Sequence, residues 1–475
     1  MSGIRVDISE LLALAGFDDP TPKGIAGDLA RLINAGELRR GDRLPTVRDL
    51  GAALDVSPAT VSQAWQALAR AGLIASRGRA GSFVQGQGPG GPAARMRGMA
   101  APDDPVRLDL SRGTPDPLLL PALGPALSRV SANAATGSYQ AEPVIPALAA
   151  ILRDSWPGDA EQIVVVDGAL DAISRTLEQV VRFGDRVVVE HPGFPPFLDL
   201  LDVLGAEAVP VALDEHGVLP GALAEALTLK PAALLLQPRA QNPTGASMTP
   251  ARADELARVI RSAGDDAAGL VIIEDDHSGL ISSEGDATLA TSLPDRVVHV
   301  RSFSKSHGPD LRIAAVGGPR DLVERVVARR MLGPGWTSRM LQSILVDLLT
   351  DRSAIETVAD ARRAYAARQR ALGDALRARD VAVAPADGIN LWMPVLSERS
   401  TLVQLAASGI RVAGGTPFLA AANGGAESAA HGRGTPRSRD TPDYVRVTVG
   451  MVRDGADPLA DALATAAQHR VAGGY

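Results

Sequence analysis

The sequence predicts an α/β protein in two parts, a small helical head and a large domain built on a mainly parallel sheet. Three observations predict this. Five short apolar runs recur between residues 162 and 300, most of them separated by segments of helical spacing. Helical periodicity followed by two short β-prone runs fills the first 85 residues, where basic side chains also gather. A stretch rich in Gly, Pro and Ala, "GQGPGGPAARMRGMAAPDDPV", divides the two parts over residues 86–106.

The bulk properties narrow the possible functions. At 475 residues the chain exceeds one ordinary domain, which runs about 100–200 residues. It has no cysteine, which excludes a disulfide framework and thiolate metal sites and points to a reducing, cytoplasmic setting. No apolar run reaches the roughly 18 residues of a membrane span. The opening "MSGIRVDISE" lacks the basic-then-apolar order of a signal peptide, so no membrane partner is expected. Net charge is −7, yet residues 21–100 hold 11 Lys and Arg against 5 Asp and Glu. That surplus of six leaves −13 elsewhere, which puts any nucleic-acid-binding face at the front.

The head reads as three helices and a hairpin. Ile25, Leu29, Leu32 and Ile33 recur at helical spacing, and "GELRRGDRLPT" supplies a turn before a second short helix, "TVRDLGAAL". Ser57 caps a third helix with Pro58 at its first position, where a missing N–H costs nothing, and Val61, Trp65 and Leu68 line one face. "LIASRGRAGSFVQ" then gives two short strands around a doubly basic tip. This is the order of a winged helix-turn-helix, whose third helix enters the DNA major groove. Over residues 22–85, "GELRRGDRLPTVRDLGAALDVSPATVSQAWQALARAGLI" and "SRGRAGSFV" resemble the GntR family of bacterial regulators. The resemblance implies double-stranded DNA as partner, with Arg43, Thr46, Arg48, Ser57, Thr60, Arg79 and Gly81 at the DNA-facing positions. Pro58 and Ser62 stand where some relatives carry arginines, so the guanine-reading forks are missing there.

The stretch 86–106 fits G-x-G-x-x-G at Gly86, Gly88 and Gly91, but no helix follows to receive a pyrophosphate, so it reads as a flexible linker. This sets expected boundaries of 1–85, 86–106 and 107–475.

In the large domain the runs "QIVVV", "RVVVE", "AALLLQ", "GLVIIE" and "RVVHV" are short, β-branched and nearly continuous, as strands buried on both faces should be. Ligands gather where such strands end. The residues there are Gly168 and Ala169 opening a helix, Phe194 in "HPGFPPF" and Asn242 in "QNPTG". Asp275 and Asp276 follow, then Ser302, Ser304 and Lys305, with Arg312 further on. A lysine amine, a buried carboxylate, an aromatic plate and an anion nest at successive strand ends match the needs of pyridoxal 5'-phosphate.

Residues 107–475 resemble a fold-type I aminotransferase domain, and the whole chain is similar to the MocR subfamily of GntR regulators. The resemblance implies that Lys305 takes the cofactor aldehyde, Asp275 partners the ring nitrogen, Asn242 donates to the ring hydroxyl and Phe194 stacks. Gly168, Ala169, Ser302 and Arg312 would hold the phosphate. Tyr139 would reach the phosphate of the second subunit of a homodimer, and Arg446 would clamp an amino-acid carboxylate. Three positions depart from the family pattern. His277 replaces a tyrosine that bonds the ring oxygen, Asp167 replaces a hydroxyl residue beside the phosphate, and Val144 replaces a glycine. The expected function is a DNA-binding regulator that senses an amine, an amino acid or the vitamer itself, with residual transaminase activity left open. Two alternatives are a working aminotransferase carrying a DNA-binding head and a dimeric regulator with a decayed cofactor site.

Other chemistries lack support. Seven histidines (191, 216, 277, 299, 307, 431 and 469) show no metal-ligand spacing, and no G-x-S-x-G elbow occurs. "GPGWTSRMLQ" offers Trp336 or Arg339 to an effector pocket or simply starts a helix, and 421–442 reads as a loop.

Overall fold

The computed structural model describes residues 6–17, 19–34, 37–39, 41–70, 73–76, 81–84, 95, 106–131, 138–139, 141–420, 442–453 and 455–468. The chain forms two compact units, one of residues 1–97 with 181–187 and 196–208, the other of the remainder.

The head begins with helix α1 (Ile8–Ala15), which the sequence reading did not anticipate, followed by α2 (Pro22–Asn34), α3 (Val47–Ala53) and α4 (Pro58–Arg70). Thr46 starts α3 by accepting a hydrogen bond from the Asp49 amide, and Ser57 does the same for Thr60 ahead of α4. The turn between α3 and α4 needs close approach. A Cβ on Gly51 would lie 3.0 Å from the Val56 carbonyl, and Asp55 takes a left-handed φ of 57°. Ile25, Leu29, Leu32, Leu50, Val61, Trp65 and Leu68 close one apolar core, which includes the faces expected from periodicity. The wing is a hairpin of β1 (Ile74–Ser76) and β2 (Ser82–Val84), paired antiparallel from Ile74 opposite Val84 to Ser76 opposite Ser82.

The second unit is organised by an eight-stranded sheet. After β3 (Leu108–Leu110) the chain lays down β4 (Gln162–Val166), β5 (Arg186–His191), β6 (Glu207–Asp214) and β7 (Gly217–Val218). Then come β8 (Ala233–Leu236), β9 (Val271–Asp276), β10 (Val297–Ser302) and β11 (Ala314–Gly318). The strand order is β4-β11-β10-β9-β8-β5-β6-β7. Strands β8, β9 and β10 pair in parallel at the centre, while β11 runs antiparallel to both β10 and β4. All six residues of β10 and all four of β8 are buried, which explains the unbroken apolar patterning of β8, while His299, Arg301 and Ser302 of β10 find polar partners. Two expected boundaries move. β9 continues through Asp275 and Asp276 and β10 through Ser302, so these side chains stand on the strands and not beyond them.

A smaller sheet of β12 (Leu391–Val395), β14 (Asp443–Val447), β13 (Ile410–Gly414) and β3 was not read from the sequence. It matters because β3 leads into Ser111 and Gly113, and β14 carries Arg446. Among the described residues no helix is long and apolar enough to cross a membrane.

Candidate functional site

The anion cradle forms where β4 ends. Gly168 holds φ at 101°, and the helix Ala169–Val180 begins directly after it, so its first amides carry no intrahelical partner. Arg312 lies flat against this turn, and a Cβ on Gly168 would come 3.0 Å from its guanidinium. The guanidinium donates to the Asp167 carbonyl at 3.1 Å, and Arg312 itself adopts a left-handed φ of 51°. Ser302, buried at the end of β10, accepts a bond from the Ser304 amide at 3.3 Å.

Asp167 does not point into the cradle. Its carboxylate accepts from Thr337 Oγ1 at 2.7 Å and from the Arg330 guanidinium at 3.1 Å. Arg330 is buried and also pairs with Asp171. The repulsion that an aspartate at this position threatened is therefore removed by an arginine 163 positions away in the chain.

The lysine sits among charges. The amine of the partly buried Lys305 donates to the Gly113 carbonyl. Burial, then the positive charge of Arg446, push its pKa down to about 8, with Asp275 opposing. Asp275 is buried, and its Oδ2 accepts from Gln237 Nε2 at 2.8 Å while its Oδ1 has no partner. Burial, reinforced by the adjacent Asp276, pushes the Asp275 carboxyl up to about 7. Asn242 follows a sharp turn, and its Oδ1 accepts from Arg446 at 3.2 Å. The amide is thereby turned so that Nδ2 is the atom left to donate to a ligand.

Arg446 is 2% exposed, lies 5.0 Å over the Phe418 ring and donates to the Ser111 carbonyl. Its Nε has no partner, and burial lowers its pKa to about 10. The segment after β3 passes so close that a Cβ on Gly113 would meet this guanidinium at 3.2 Å, and Gly113 holds φ at 62°. Phe194 is partly buried in the loop after β5, where the neighbouring Gly193 amide bonds the Phe418 carbonyl at 2.9 Å.

His277 departs from the expected substitution for tyrosine. Its Nε2 lies 2.9 Å from the Ala240 carbonyl, which can only accept, so Nε2 carries the proton and the other ring nitrogen can only accept. Burial, then the Lys305 charge, push its pKa down to about 4, so the ring is neutral near pH 7 and does not titrate there. Tyr139 stands apart from these groups at 89% exposure, edge-on to Trp336 at 5.9 Å. Arg339 lies over Trp336 and donates to the Ser138, Ala141 and Glu142 carbonyls, about 200 positions earlier in the chain, which ties it to the segment that carries Tyr139. Among the described residues no group of three or more His, Asp or Glu is placed to hold a metal.

The head presents Thr46, Arg48 and Ser57 on its surface, with Ser57 and Thr60 hydroxyls 2.8 Å apart. Arg43 is placed against the wing, where a Cβ on Gly81 would meet its Nε at 2.8 Å. Arg79, the linker apart from Arg95 and Val106, and most of the 421–442 loop lie outside the described residues.

The donor set fits pyridoxal 5'-phosphate. An orphaned buried carboxylate oxygen suits a ring N–H, an amide donor suits the ring hydroxyl, and a helix start with Arg312 suits a phosphate. Sequence reasoning missed Gln237, Glu190, Gly113 and Arg330. The available signals were the glutamine closing the apolar run "AALLLQ" and the glutamate closing "RVVVE".

Comparison with known proteins agrees. Residues 106–463 match the aminotransferase class I and II family, and residues 21–84 match the bacterial regulatory proteins of the gntR family. The vitamin B6 salvage pathway transcriptional repressor PtsJ of Salmonella typhimurium is 36% identical over 407 residues, covering 85% of this chain and 92% of that protein. The HTH-type transcriptional regulator TauR of Rhodobacter capsulatus is 27% identical over 82% of this chain and 87% of its own. LysN, an α-aminoadipate aminotransferase of Thermus thermophilus, shares the fold at TM-score 0.63 and 22% identity, over 76% of this chain and 92% of that one. Aspartate aminotransferase of Thermus thermophilus does so at TM-score 0.63 and 20% identity, over 79% and 99%. The chain belongs to the aminotransferase class I and II family and, through its gntR-family head, to the MocR-type transcription regulators.

Proposed function

We propose that this DNA-binding regulator uses its aminotransferase-like unit, with pyridoxal 5'-phosphate as cofactor, to sense a small amine, an amino acid or a B6 vitamer. The observation that carries the reading is the convergence of Lys305, the unpartnered Oδ1 of Asp275 and the buried Arg446 on one site. When bound, the cofactor supplies an aldehyde for an amine and a ring that draws electrons from it. Lys305, with its pKa near 8, offers a substantial neutral fraction to that aldehyde at the upper end of physiological pH. Asp275 holds the ring nitrogen, Asn242 the ring hydroxyl, and Phe194 flanks the ring. Gly168, Ala169, Ser302 and Arg312 hold the phosphate. An amine effector competes with Lys305, and Arg446 binds its carboxylate where it has one.

The identity to PtsJ, which is named as a vitamin B6 salvage repressor, favours a vitamer among these effectors. The protein acts in the cytoplasm as a homodimer, each Tyr139 reaching the partner's phosphate site and the two heads reading paired half-sites. Arg43, Thr46, Arg48, Ser57, Thr60, Arg79 and Gly81 contact DNA. An effector shifts the dimer only by its differential affinity for the two arrangements.

The test is the visible absorption of the purified protein with added pyridoxal 5'-phosphate, beside Lys305→Ala. A band present in the wild type and lost in the variant supports the reading, and its absence from both overturns it. Retention of Lys305, Asp275, Asn242 and Arg446 also favours a second reading, a residual transaminase, which single-turnover spectra with an amino-acid panel separate from pure sensing.

A further inference from the structure

We infer that Gln237 is a positioning residue that couples the ring-nitrogen carboxylate Asp275 to the effector-side arginine Arg446. The inference rests on the cofactor reading above and assigns a role to a residue outside the expected site. Gln237 follows β8, is 3% exposed and is satisfied on both of its side-chain ends. Its Nε2 donates to Asp275 Oδ2 at 2.8 Å, and its Oε1 accepts from the Asn242 amide at 2.9 Å. That donor is the Asn242 backbone N–H, while the Asn242 side-chain Oδ1 accepts from Arg446 at 3.2 Å, so Gln237 ties Asp275 to the residue whose side chain meets the carboxylate clamp.

The polarity of the chain fixes its function. With Oε1 committed to a backbone donor, the Gln237 amide has one orientation, and Nε2 must face Asp275. That contact occupies Oδ2 and leaves Oδ1 as the oxygen that meets a ring N–H. A leucine or methionine fills the same volume but leaves both carboxylate oxygens without a donor in a buried place, where unpaired charge is costly.

A second acid braces the far side. Glu190 is 5% exposed and accepts from the Gln237 amide at 3.1 Å and from Gln241 Nε2 at 3.3 Å. Burial pushes its pKa up to about 8, with the Asp275 charge adding to the effect. A neutral Glu190 spares Asp275 a second negative charge behind Gln237. The other titratable groups acting on Asp275 are Asp276, His299 and Lys305.

The test compares Gln237→Met and Gln237→Glu with wild type by titrating pyridoxal 5'-phosphate against the visible band from pH 6 to 9, with thermal melts of the unloaded proteins alongside. Gln237→Met is expected to weaken cofactor binding roughly tenfold or more at every pH, the scale of one lost charge-assisted bond. Gln237→Glu is expected to be weak at pH 9 and to recover towards wild type as pH falls, because only its protonated carboxyl can donate to Asp275. A purely volume-filling residue leaves the Gln237→Met affinity at the wild-type value. Profiles of both variants that superimpose on wild type overturn the inference and leave the cofactor reading intact. Absence of a band in wild type overturns both. If Gln237→Met does not fold, Gln237→Leu, which likewise fills the volume without a donor, takes its place.

Discussion

Asp275 illustrates how a functional residue burdens the unloaded protein. Its carboxyl is raised from 3.8 to about 7, mainly by burial. For an acid whose folded value is raised, the stabilising contribution is fully present below the unfolded value and is lost as pH rises through the folded one. Above pH 7 the unloaded protein therefore carries a buried carboxylate that Asp275→Asn does not. The variant is expected to be more stable than wild type by on the order of 2 kcal/mol at pH 8.5, with the gain shrinking towards pH 4. Denaturation midpoints across that range check it, and adding pyridoxal 5'-phosphate should reverse the ranking, since only aspartate pairs with a protonated ring nitrogen. A flat difference across pH refutes the argument. Lys305 gives a companion expectation. With its pKa near 8, the rate at which the cofactor band appears should rise through pH 8 and level off above it, as stopped-flow absorbance reads. The residue types at Lys305, Asp275 and Asn242 were legible in the sequence because each follows or ends an apolar run. The protonation of His277 was not, because burial and the Ala240 carbonyl, 37 positions away, decide it.

At the scale of elements, the phosphate cradle depends on how two helices are tied together. Asp167 ends the loop before Ala169–Val180, Asp171 lies in that helix, and Arg330 closes the helix Arg320–Met331. Arg330 neutralises both aspartates, and Thr337 completes the Asp167 shell. Arg330→Met leaves Asp167, beside the phosphate site, with Thr337 and no cation, while Asp171 keeps its pair with Arg175. The expected cost in stability is about 2 kcal/mol, below that of a fully buried pair because the Asp167 side chain is 38% exposed. Affinity for pyridoxal 5'-phosphate should fall further than affinity for pyridoxal, which lacks the phosphate, and adding Asp167→Asn should restore part of the loss. Equal losses for both vitamers rule out the electrostatic account. The three later head helices, the wing and the strands β4, β5, β8, β9 and β10 were legible because their periodicities are local. The antiparallel insertion of β11, the small sheet and the Arg330 pairing depend on long-range partners that no local window contains.

The whole molecule joins two sites that report in different currencies, a cofactor pocket read by absorbance and a DNA face read by salt dependence. Residues 21–100 carry 11 Lys and Arg against 5 Asp and Glu in a chain that is acidic overall, so affinity for DNA rests on a few cations against a background that repels phosphate. Arg48 stands exposed on α3, whose N-cap Thr46 and buried Leu50 fix its direction from the domain. With no arginine at positions 58 and 62 of α4, phosphate contacts are expected to carry a large share of binding. Arg48→Ala is therefore expected to weaken binding to specific and random duplexes by a similar factor. It should also lower the slope of log affinity against log salt by about 1 per half-site. Fluorescence anisotropy at several salt concentrations measures both. Loss confined to one duplex sequence with an unchanged slope makes Arg48 a base reader instead. The same titration repeated on Lys305→Ala tests the link between the sites. Its salt slope should match wild type, because the DNA face is intact, while any effect of added amine on affinity should vanish with the lysine.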